Sequence, residues 1–382
     1  MMNIFFDARW TRTDRHDGVS RFGSSLLEAL AELTAVTMLI SDERQLDLLP
    51  TGVPHILVNH PLAARELLLP RLLNGLGADV VYSPMQIMGT PGRRYKLIFT
   101  LHDTIYYKFP FAPTYLPPAQ RALWWLFHQA YWPGRLVLNQ ADMVATVSQT
   151  SRQEVISCHL TDRPVTVVYN APPKFGAAPD QTGVERDLVF MGTLMPYKNV
   201  ETLIRALPLL PEYRLHLTGR GTSDRVDTLR AAAGEFGVAD RITFWNGASD
   251  AEYAGILATA TASVSASKAE GFGLPLIEAM SSGVPFIGTD MPIFREVGGD
   301  AALFFDTDSP ADLAAKVRQV EDPATRSRLI ELGHAQAAKF SWEESATRLY
   351  EVMQELAGQR STGAATPRAR YGEPSEREPS GL

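Results

Sequence analysis

The chain has 382 residues, of which 45% are apolar and 21% are charged, a globular composition long enough for two domains. The formal net charge of -7 argues against a broad nucleic-acid-binding surface, so we expect no nucleic-acid partner. Cys158 is the only cysteine, which excludes an internal disulfide and a thiolate metal cluster and suits a reducing cytoplasm.

The apolar segments predict a protein without a membrane-spanning helix. Runs such as 97–101 and 136–138 are far shorter than the roughly 20 residues that cross a bilayer. The opening sequence MMNIFFDARW lacks a basic leader, an apolar stretch and a small-residue cleavage site. We therefore expect a cytoplasmic location.

The first half of the chain alternates short apolar runs with amphipathic segments. Apolar residues at helical spacing in SRFGSSLLEALAEL predict a helix over 20–33. Buried strands are predicted for NIFFDA, VVYS, KLIFTLHD and MVATVS, at 3–8, 80–83, 96–103 and 143–148.

Between the last two of these strands, residues 104–141 contain no acidic side chain. Lys108, Arg121 and Arg135 alternate there with aromatic residues such as Trp125 and Trp132. A basic, aromatic helix can lie in a membrane interface, which would allow peripheral contact with the inner face of the plasma membrane. We favour the alternative, in which the aromatic rings pack in the core of the first domain.

A second alternating pattern follows a segment rich in Pro, Gly and Ala at 170–186. Its strands are predicted in DLVFMGT, RLHLTGRG, RITFWNG, TASVSAS and VPFIGT, each followed by helix-like sequence. This alternation predicts an α/β fold of two doubly wound, Rossmann-like domains with parallel sheets. We place the domains at 1–172 and 173–340, a final helix at 341–358 and a disordered tail at 359–382.

The stretch SKAEGFGLPLIEAMSSG, residues 267–283, has the strongest functional pattern. It leads from a predicted strand through Glu270 and a glycine-rich turn into a helix starting near Pro275, with Glu278 predicted in the first turn. Glycines at 271 and 273 let a ligand approach the backbone, and free amides at a helix start favour a phosphate. With one carboxylate for a ribose and one for a second sugar, the stretch predicts a sugar-nucleotide site.

The motifs together resemble the retaining glycosyltransferases of the GT-B fold, family 4. EGFGLPLIE has that family's spacing of two glutamates, and the resemblance continues through DGVSRF, TLHD, ATVSQTSR, VVYNAP, FMGTLMPYKN, LTGRG and RITFWNGASDAE. The resemblance implies two domains facing a central cleft, the first binding an acceptor and the second a nucleotide sugar. It also implies that the last helix crosses back onto the first domain, and that a sugar is transferred with retention of configuration, without a metal or cofactor.

The resemblance also assigns roles to residues. Lys198 would stabilise the diphosphate, Glu270 would contact the donor sugar, and His102 would face the sugar and the incoming hydroxyl. Asn199 is predicted to cap the helix that follows Lys198, and the positive end of that helix would point at the diphosphate. The donor-binding residues implied are Gly18, Gly271, Phe272, Gly273, Leu274, Glu278, Thr193 and Arg220. For Arg220, a plain surface position is the favoured interpretation.

One departure from the family is visible. Arginine often follows the glycine of FMG, where this chain has Thr193, and otherwise commonly precedes the lysine, where it has Tyr197. The diphosphate therefore loses one positive partner, a contact of roughly 1.5–3 kcal/mol.

The resemblance to mannosyl-transferring members favours GDP-mannose as donor, with UDP-sugars open, and a glycan or lipid-linked acceptor. A nucleotide-sugar epimerase and a non-catalytic binding protein are the alternatives, because a fold alone does not settle a reaction.

Overall fold

The architecture is that of a computed structural model, which describes residues 2–112, 117–173 and 185–362. Thirteen strands are found in these ranges: β1 Ile4–Asp7, β2 Val36–Ile40, β3 His55–Leu57, β4 Val80–Ser83, β5 Lys96–Thr100, β6 Met143–Thr146, β7 Val165–Val167, β8 Asp187–Phe190, β9 Arg214–Leu217, β10 Ile242–Phe244, β11 Ala262–Ser265, β12 Phe286–Thr289 and β13 Ala302–Phe305.

The α-helices of the same ranges lie between these strands and at the end of the chain. They are α1 Gly18–Leu33, α2 Leu69–Gly75, α3 Ile105–Lys108, α4 Pro118–Phe127, α5 Tyr131–Leu138, α6 Gln149–Ser157, α7 Val200–Ala206, α8 Ser223–Glu235, α9 Asp250–Thr259, α10 Leu274–Ser281, α11 Pro292–Gly298, α12 Pro310–Val320, α13 Pro323–Ala337 and α14 Trp342–Thr362.

The strands form two separate parallel sheets. The first has the order β3-β2-β1-β4-β5-β6-β7 and the second the order β10-β9-β8-β11-β12-β13. The order reverses between β1 and β4 in the first sheet and between β8 and β11 in the second, so both sheets are doubly wound. This confirms the predicted fold class, and it fixes where side chains at the strand ends meet.

Local sequence explains the main elements. The central strand β1 is apolar in its first three residues and buried in all four, as expected where helices cover both faces of a sheet. Helix α1 starts at Gly18 because Asp17 caps it, its carboxylate accepting from the Ser20 amide at 2.9 Å.

The last helix, α14, packs on α1 of the first domain. Trp342 at its start lies 5.8 Å, ring to ring, from Phe22 of α1, and Leu349, Val352 and Met353 are fully buried. The helix extends to Thr362, four residues beyond the predicted end at 358. The rest of the predicted tail, 363–382, and residues 174–184 of the predicted linker lie outside the described residues.

Candidate functional site: the cleft between the two sheets

Lys198 and Glu270 form an ion pair at the point where the strand order of the second sheet reverses. Lys198 follows β8 and Glu270 follows the neighbouring strand β11. The Lys198 Nζ atom lies 2.5 Å from Glu270 Oε1, which also accepts from the Ser267 hydroxyl at 2.8 Å. Both side chains are about one-tenth exposed, at 10% and 12%, so the pair is largely desolvated and held in one geometry.

The turn that carries Lys198 differs from the prediction in one respect. Asn199 precedes α7, as predicted, but its backbone is left-handed, with φ 52°, and its side chain does not cap the helix. Instead, Asn199 Nδ2 donates to the Thr307 carbonyl oxygen at 3.0 Å. The predicted cap is therefore wrong, because the amide side chain ties the turn to a loop of the same domain.

The glycine-rich turn is shaped by packing between the domains. A Cβ atom at Gly271 would lie 2.7 Å from the carbonyl oxygen of His102 and 3.0 Å from Asp103 Cβ, both in the first domain. The Gly271 carbonyl oxygen also accepts from the hydroxyl of Ser148, at 2.8 Å. Gly271 therefore lets two protein backbones approach each other, whereas the sequence suggested the approach of a ligand.

The next residues of the turn lead into α10. Gly273 is left-handed, with φ 91°, and a Cβ atom there would lie 2.8 Å from the Phe294 ring. Phe272 is 3% exposed and its ring packs 5.5 Å from that of Phe340, so its backbone alone can face a ligand. Leu274 begins α10, and a Cβ atom at Gly18 would lie 4.0 Å from its Cδ1 atom. The starts of α1 and α10 therefore face each other across the cleft.

Glu278 lies in the second turn of α10, and not in the first as predicted, because the helix begins at Leu274. Burial raises the pKa of its carboxyl to about 7, against the influence of Arg21 and of the Tyr253 hydroxyl.

Arg21, on α1, donates to both oxygens of Asp250 on α9, at 2.9 and 2.8 Å. This bridge between the domains lies beside Glu278. Sequence patterns gave no signal for it, since its members are 229 residues apart.

His102 and Asp103 face the cleft from the end of β5. The Nε2 atom of His102 lies 2.8 Å from the carbonyl oxygen of Pro84, which fixes Nε2 as the donor and leaves Nδ1 as an acceptor. Burial lowers the pKa of His102, so the ring is neutral at pH 7. Its ring centroid is 4.9 Å from that of Phe22.

Asp103 also lies at the candidate site in the cleft, beside Glu270 and Lys198, and the sequence did not predict it. Burial raises the pKa of its carboxyl to about 6, Glu270 acts in the same direction, and Lys198 opposes both. The Ile105 amide donates to its Oδ1 atom at 2.9 Å. The available signal was its position directly after His102 at a strand end, where polar residues of open parallel sheets collect.

The remaining predicted residues lie nearer the outside of the cleft. Thr193 is exposed, and the Tyr197 ring packs 5.8 Å from that of Phe109 in the first domain, with 29° between the ring planes. Arg220 is exposed and lies over Gly247, where a Cβ atom would be 2.2 Å from its Nε atom. The residue directly before Lys198 is thus a tyrosine that contacts the other domain.

The aromatic segment between β5 and β6 does not pack in the core, so the favoured interpretation of it was wrong. No residue of α4 is buried, and Trp125 and Trp132 are 49% and 65% exposed. The physical reason is that α4 packs through its aromatic rings on the short helix α3, with the Trp124 ring 4.8 Å from that of Tyr106, rather than on the sheet. No helix within the described ranges has the length and apolarity needed to span a bilayer.

Two doubly wound parallel-sheet domains, with a polar cleft between their strand ends, define the GT-B fold, the architecture expected of the family that the sequence resembles. Two family models match the chain: "Glycosyltransferase Family 4" over residues 16–171 and "Glycosyl transferases group 1" over residues 178–336. The chain belongs to the family 4 glycosyltransferases.

Known proteins with similar sequences or structures agree with this assignment. The chain is 32% identical to O-antigen chain mannosyltransferase B of Escherichia coli over 55% of this chain and 60% of that protein. It is 29% identical to the GDP-mannose:cellobiosyl-diphosphopolyprenol alpha-mannosyltransferase of Komagataeibacter xylinus over 45% of this chain and 46% of that one. The alignments thus span about half of these relatives.

Among solved structures, Anabaena Alr3699/HepE in complex with UDP superimposes with a TM-score of 0.70. It is 17% identical, and the match covers 93% of this chain and 100% of that one. At this identity the likeness concerns the fold.

Proposed function

We propose that the protein is a retaining glycosyltransferase that moves mannose from GDP-mannose to a glycan or lipid-linked acceptor without a metal ion. The observation that carries the proposal is the Lys198–Glu270 pair at the switch point of the second sheet, 2.5 Å apart, facing His102 and Asp103 of the other domain. The names of the mannosyl-transferring relatives support mannose and, for one of them, GDP as its carrier. In this proposal the protein acts in the cytoplasm. If its acceptor is lipid-linked, it acts at the inner face of the plasma membrane.

The second domain supplies the donor contacts in this proposal. Lys198 binds the diphosphate and stabilises the charge that develops on it, and Glu270 holds Lys198 in place while accepting from a sugar hydroxyl. Glu278, ionised above its pKa of about 7, accepts from the ribose hydroxyls. The backbone at Gly271, Phe272 and Gly273 lines the space between the two glutamates. Lys198 acts as a fixed charge and exchanges no proton.

The first domain holds the acceptor. Neutral His102 presents Nδ1 as a hydrogen-bond acceptor, and Asp103 presents a carboxyl beside Glu270. In the transfer, the bond from the sugar's anomeric carbon to the phosphate oxygen breaks, and a bond to the acceptor oxygen forms on the same face. The acceptor proton passes to the leaving phosphate oxygen, so atoms and charge balance and the anomeric configuration is retained. Packing of the domains around both substrates excludes water and favours transfer over hydrolysis.

Calorimetry and product analysis test the proposal together. Purified protein is titrated with GDP-mannose, GDP, UDP-glucose and UDP in buffer with and without EDTA. Lys198→Ala, which removes a charge-assisted contact of roughly 1.5–3 kcal/mol, should weaken diphosphate binding about tenfold or more. Lys316→Ala, on α12, is the matched control and should bind as the wild type does. NMR of the product should show the α-configured donor sugar in an α-linkage.

Each part of the proposal has its own contradicting result. Exclusive binding of UDP compounds would overturn the donor, and an inverted linkage would overturn the mechanism. Loss of transfer with EDTA would overturn metal independence.

The two alternative functions have distinct signatures in the same experiment. A sugar isomer formed without any acceptor would identify an epimerase. Donor binding without transfer to any acceptor would identify a non-catalytic homologue, an alternative that rests on Thr193 in place of an arginine.

A further inference from the structure

A cavity of about 650 Å3 opens between the two domains at the outer end of the cleft. Its wall in the first domain includes Phe111, Arg121 and Trp125, and its wall in the second domain includes Leu194, Met195 and Arg220. No residue of this cavity belongs to the Lys198, Glu270 and Glu278 cluster. The loop with Leu194 and Met195 nevertheless leads directly into Lys198, so the cavity adjoins the proposed reaction site.

The charged groups that line the cavity favour an anion. Arg121 and Arg220 come from opposite domains, and neither has a carboxylate within ion-pair distance in the part of the chain that the structure describes. Arg225 also lines it, but its two terminal nitrogens bind Glu201, at 2.5 and 2.9 Å. Asp224 is the acidic residue among the lining residues. The two guanidinium groups that bind no carboxylate of the described residues, those of Arg121 and Arg220, thus outnumber the one lining carboxylate of Asp224. Two guanidinium groups match a phosphate or diphosphate.

An exposed apolar face continues from the cavity. Pro118, Arg121, Ala122 and Trp125 line the cavity from one side of α4. The neighbouring side exposes Leu123 by 68% and Leu126 by 62%. From α5, Trp132 and Leu136 are 65% and 61% exposed. Large apolar side chains this exposed, on two helices that follow each other in the chain, indicate contact with an apolar partner.

We propose that this cavity is the acceptor subsite for a lipid-linked diphosphate, with the diphosphate between Arg121 and Arg220 and the first part of the lipid chain against Trp125 and the exposed face of α4. The inference rests on the proposed function, since it names the class of acceptor. A phosphorylated lipid is favoured over a free glycan because a neutral glycan offers no charge to the two arginines and no glycan offers an apolar chain to α4. A sugar attached to the diphosphate then extends past Met195 toward Lys198 and Asp103.

Binding of a short prenyl diphosphate tests the inference without turnover. Farnesyl diphosphate is titrated below its micellar concentration into protein saturated with GDP, which keeps it out of the donor site. We expect saturable binding that inorganic diphosphate and farnesol each fail to reproduce. Arg121→Ser and Trp125→Ser should each weaken it about tenfold or more, the loss of one charge-assisted or one stacked apolar contact.

The controls separate this inference from the proposed function. Arg94→Ser removes an exposed arginine just before the amino end of β5, whereas the cleft lies at the carboxyl ends of the strands, and this variant should bind farnesyl diphosphate as the wild type does. All three substituted residues are at the surface, and unchanged melting temperatures would establish that the variants fold. GDP binding to the wild type is measured first. Absence of GDP binding would count against the proposed function, and the acceptor subsite would then be tested by farnesyl diphosphate binding in the protein without GDP.

Three results would overturn the inference. Farnesyl diphosphate binding that is absent, or equal in wild type and Arg121→Ser, would remove the cavity as its site. Equal binding of inorganic diphosphate would show a simple anion site. Arg121-dependent binding to vesicles of anionic phospholipid, without farnesyl diphosphate binding, would identify a membrane surface instead of a single lipid acceptor.

Discussion

At the scale of single residues, Glu278 couples stability to pH. Its carboxyl has an ordinary pKa of 4.5 when exposed, and burial in the folded protein raises it to about 7. Between these two pH values the unfolded chain loses a proton that the folded chain keeps. The contribution of Glu278 to the free energy of unfolding therefore falls as the pH rises from 4.5 to 7.

Replacing Glu278 by glutamine should separate stability from donor binding. Glu278→Gln should melt at a higher temperature than the wild type at pH 8, because no buried charge has to form. The same variant should bind GDP about tenfold more weakly or worse at pH 8, as one charge-assisted hydrogen bond of roughly 1.5–3 kcal/mol is lost. Wild-type binding should strengthen from pH 6 to 8, and the variant should show no such rise. Equal GDP affinity of the two proteins at pH 8 would remove Glu278 from the ribose site.

Gly271 is a residue at which the backbones of the two domains approach each other closely. Gly271→Ala would place a methyl group 2.7 Å from the His102 carbonyl oxygen, and the backbones would have to separate. We expect a loss of ~1–3 kcal/mol in stability, typical of overpacking. Gly234→Ala, in α8, meets nothing within 4 Å and should be neutral or stabilising. Urea unfolding of both variants measures the difference, and a Gly271→Ala protein as stable as the Gly234→Ala protein would contradict it.

At the scale of elements, α14 completes the first domain although it comes from the end of the chain. Leu349, Val352, Met353 and Leu356 are each at most 2% exposed. At ~1.5–3 kcal/mol for each buried side chain, their loss is comparable to the whole stability of a domain, roughly 5–15 kcal/mol. Truncation before Trp342 should therefore give an aggregating or unfolded first domain.

Truncation after Thr362 is the matched control for that prediction. It leaves all of α14 in place, and we expect the melting temperature of the full chain. Circular dichroism melts of the two shortened proteins measure the outcome. Equal melting temperatures would mean that α1 does not depend on α14.

The sequence predicted the central strands better than the outer ones, for a physical reason. Strands β1, β4 and β5 are covered on both faces and appear as apolar runs. Strands β3 and β7 lie at the two edges of the first sheet, have three residues each, and are partly exposed, so they carry almost no pattern. Strands β2 and β13 were also missed, as their short runs adjoin the ends of helical segments.

The residues of the candidate site also divide into those with a local sequence pattern and those without one. Glu270 was predicted because it follows a strand, and the ends of parallel strands meet at one edge of a sheet. Lys198 and His102 were predicted from the resemblance to the family. Arg21 was missed because its importance depends on a contact between the domains, which no local pattern encodes. Asp103 was missed although its position after His102 at a strand end was an available signal. Whether the residues have the roles that the family implies remains a prediction.

At the scale of the whole molecule, Glu296 of the second domain caps a helix of the first. One carboxylate oxygen accepts from the Gln149 amide at 2.7 Å, and the other accepts from the amide and hydroxyl of Thr150, at 2.7 and 2.6 Å. The Tyr169 hydroxyl donates to the first oxygen at 3.1 Å. These bonds satisfy amides at the start of α6 and join the domains on the side of Gly271.

Removing this cap should loosen the arrangement of the domains without unfolding them. In Glu296→Ala we expect a larger radius of gyration by small-angle X-ray scattering and weaker GDP-mannose binding. Glu331→Ala, an exposed position on α13, is the control and should leave both quantities unchanged. Identical scattering of Glu296→Ala and the wild type would show that other contacts suffice to hold the domains together.

The return of α14 to the first domain also limits how this protein can be recombined with its relatives. A chimera joined at a single point between the two sheets would combine one parent's α1 with the other parent's α14, and their buried faces would not have been selected together. Two junctions are needed, one before β8 and one before Trp342, so that each parent contributes a complete core. An exchange of the whole first domain is thus a transplant of two separated segments of chain.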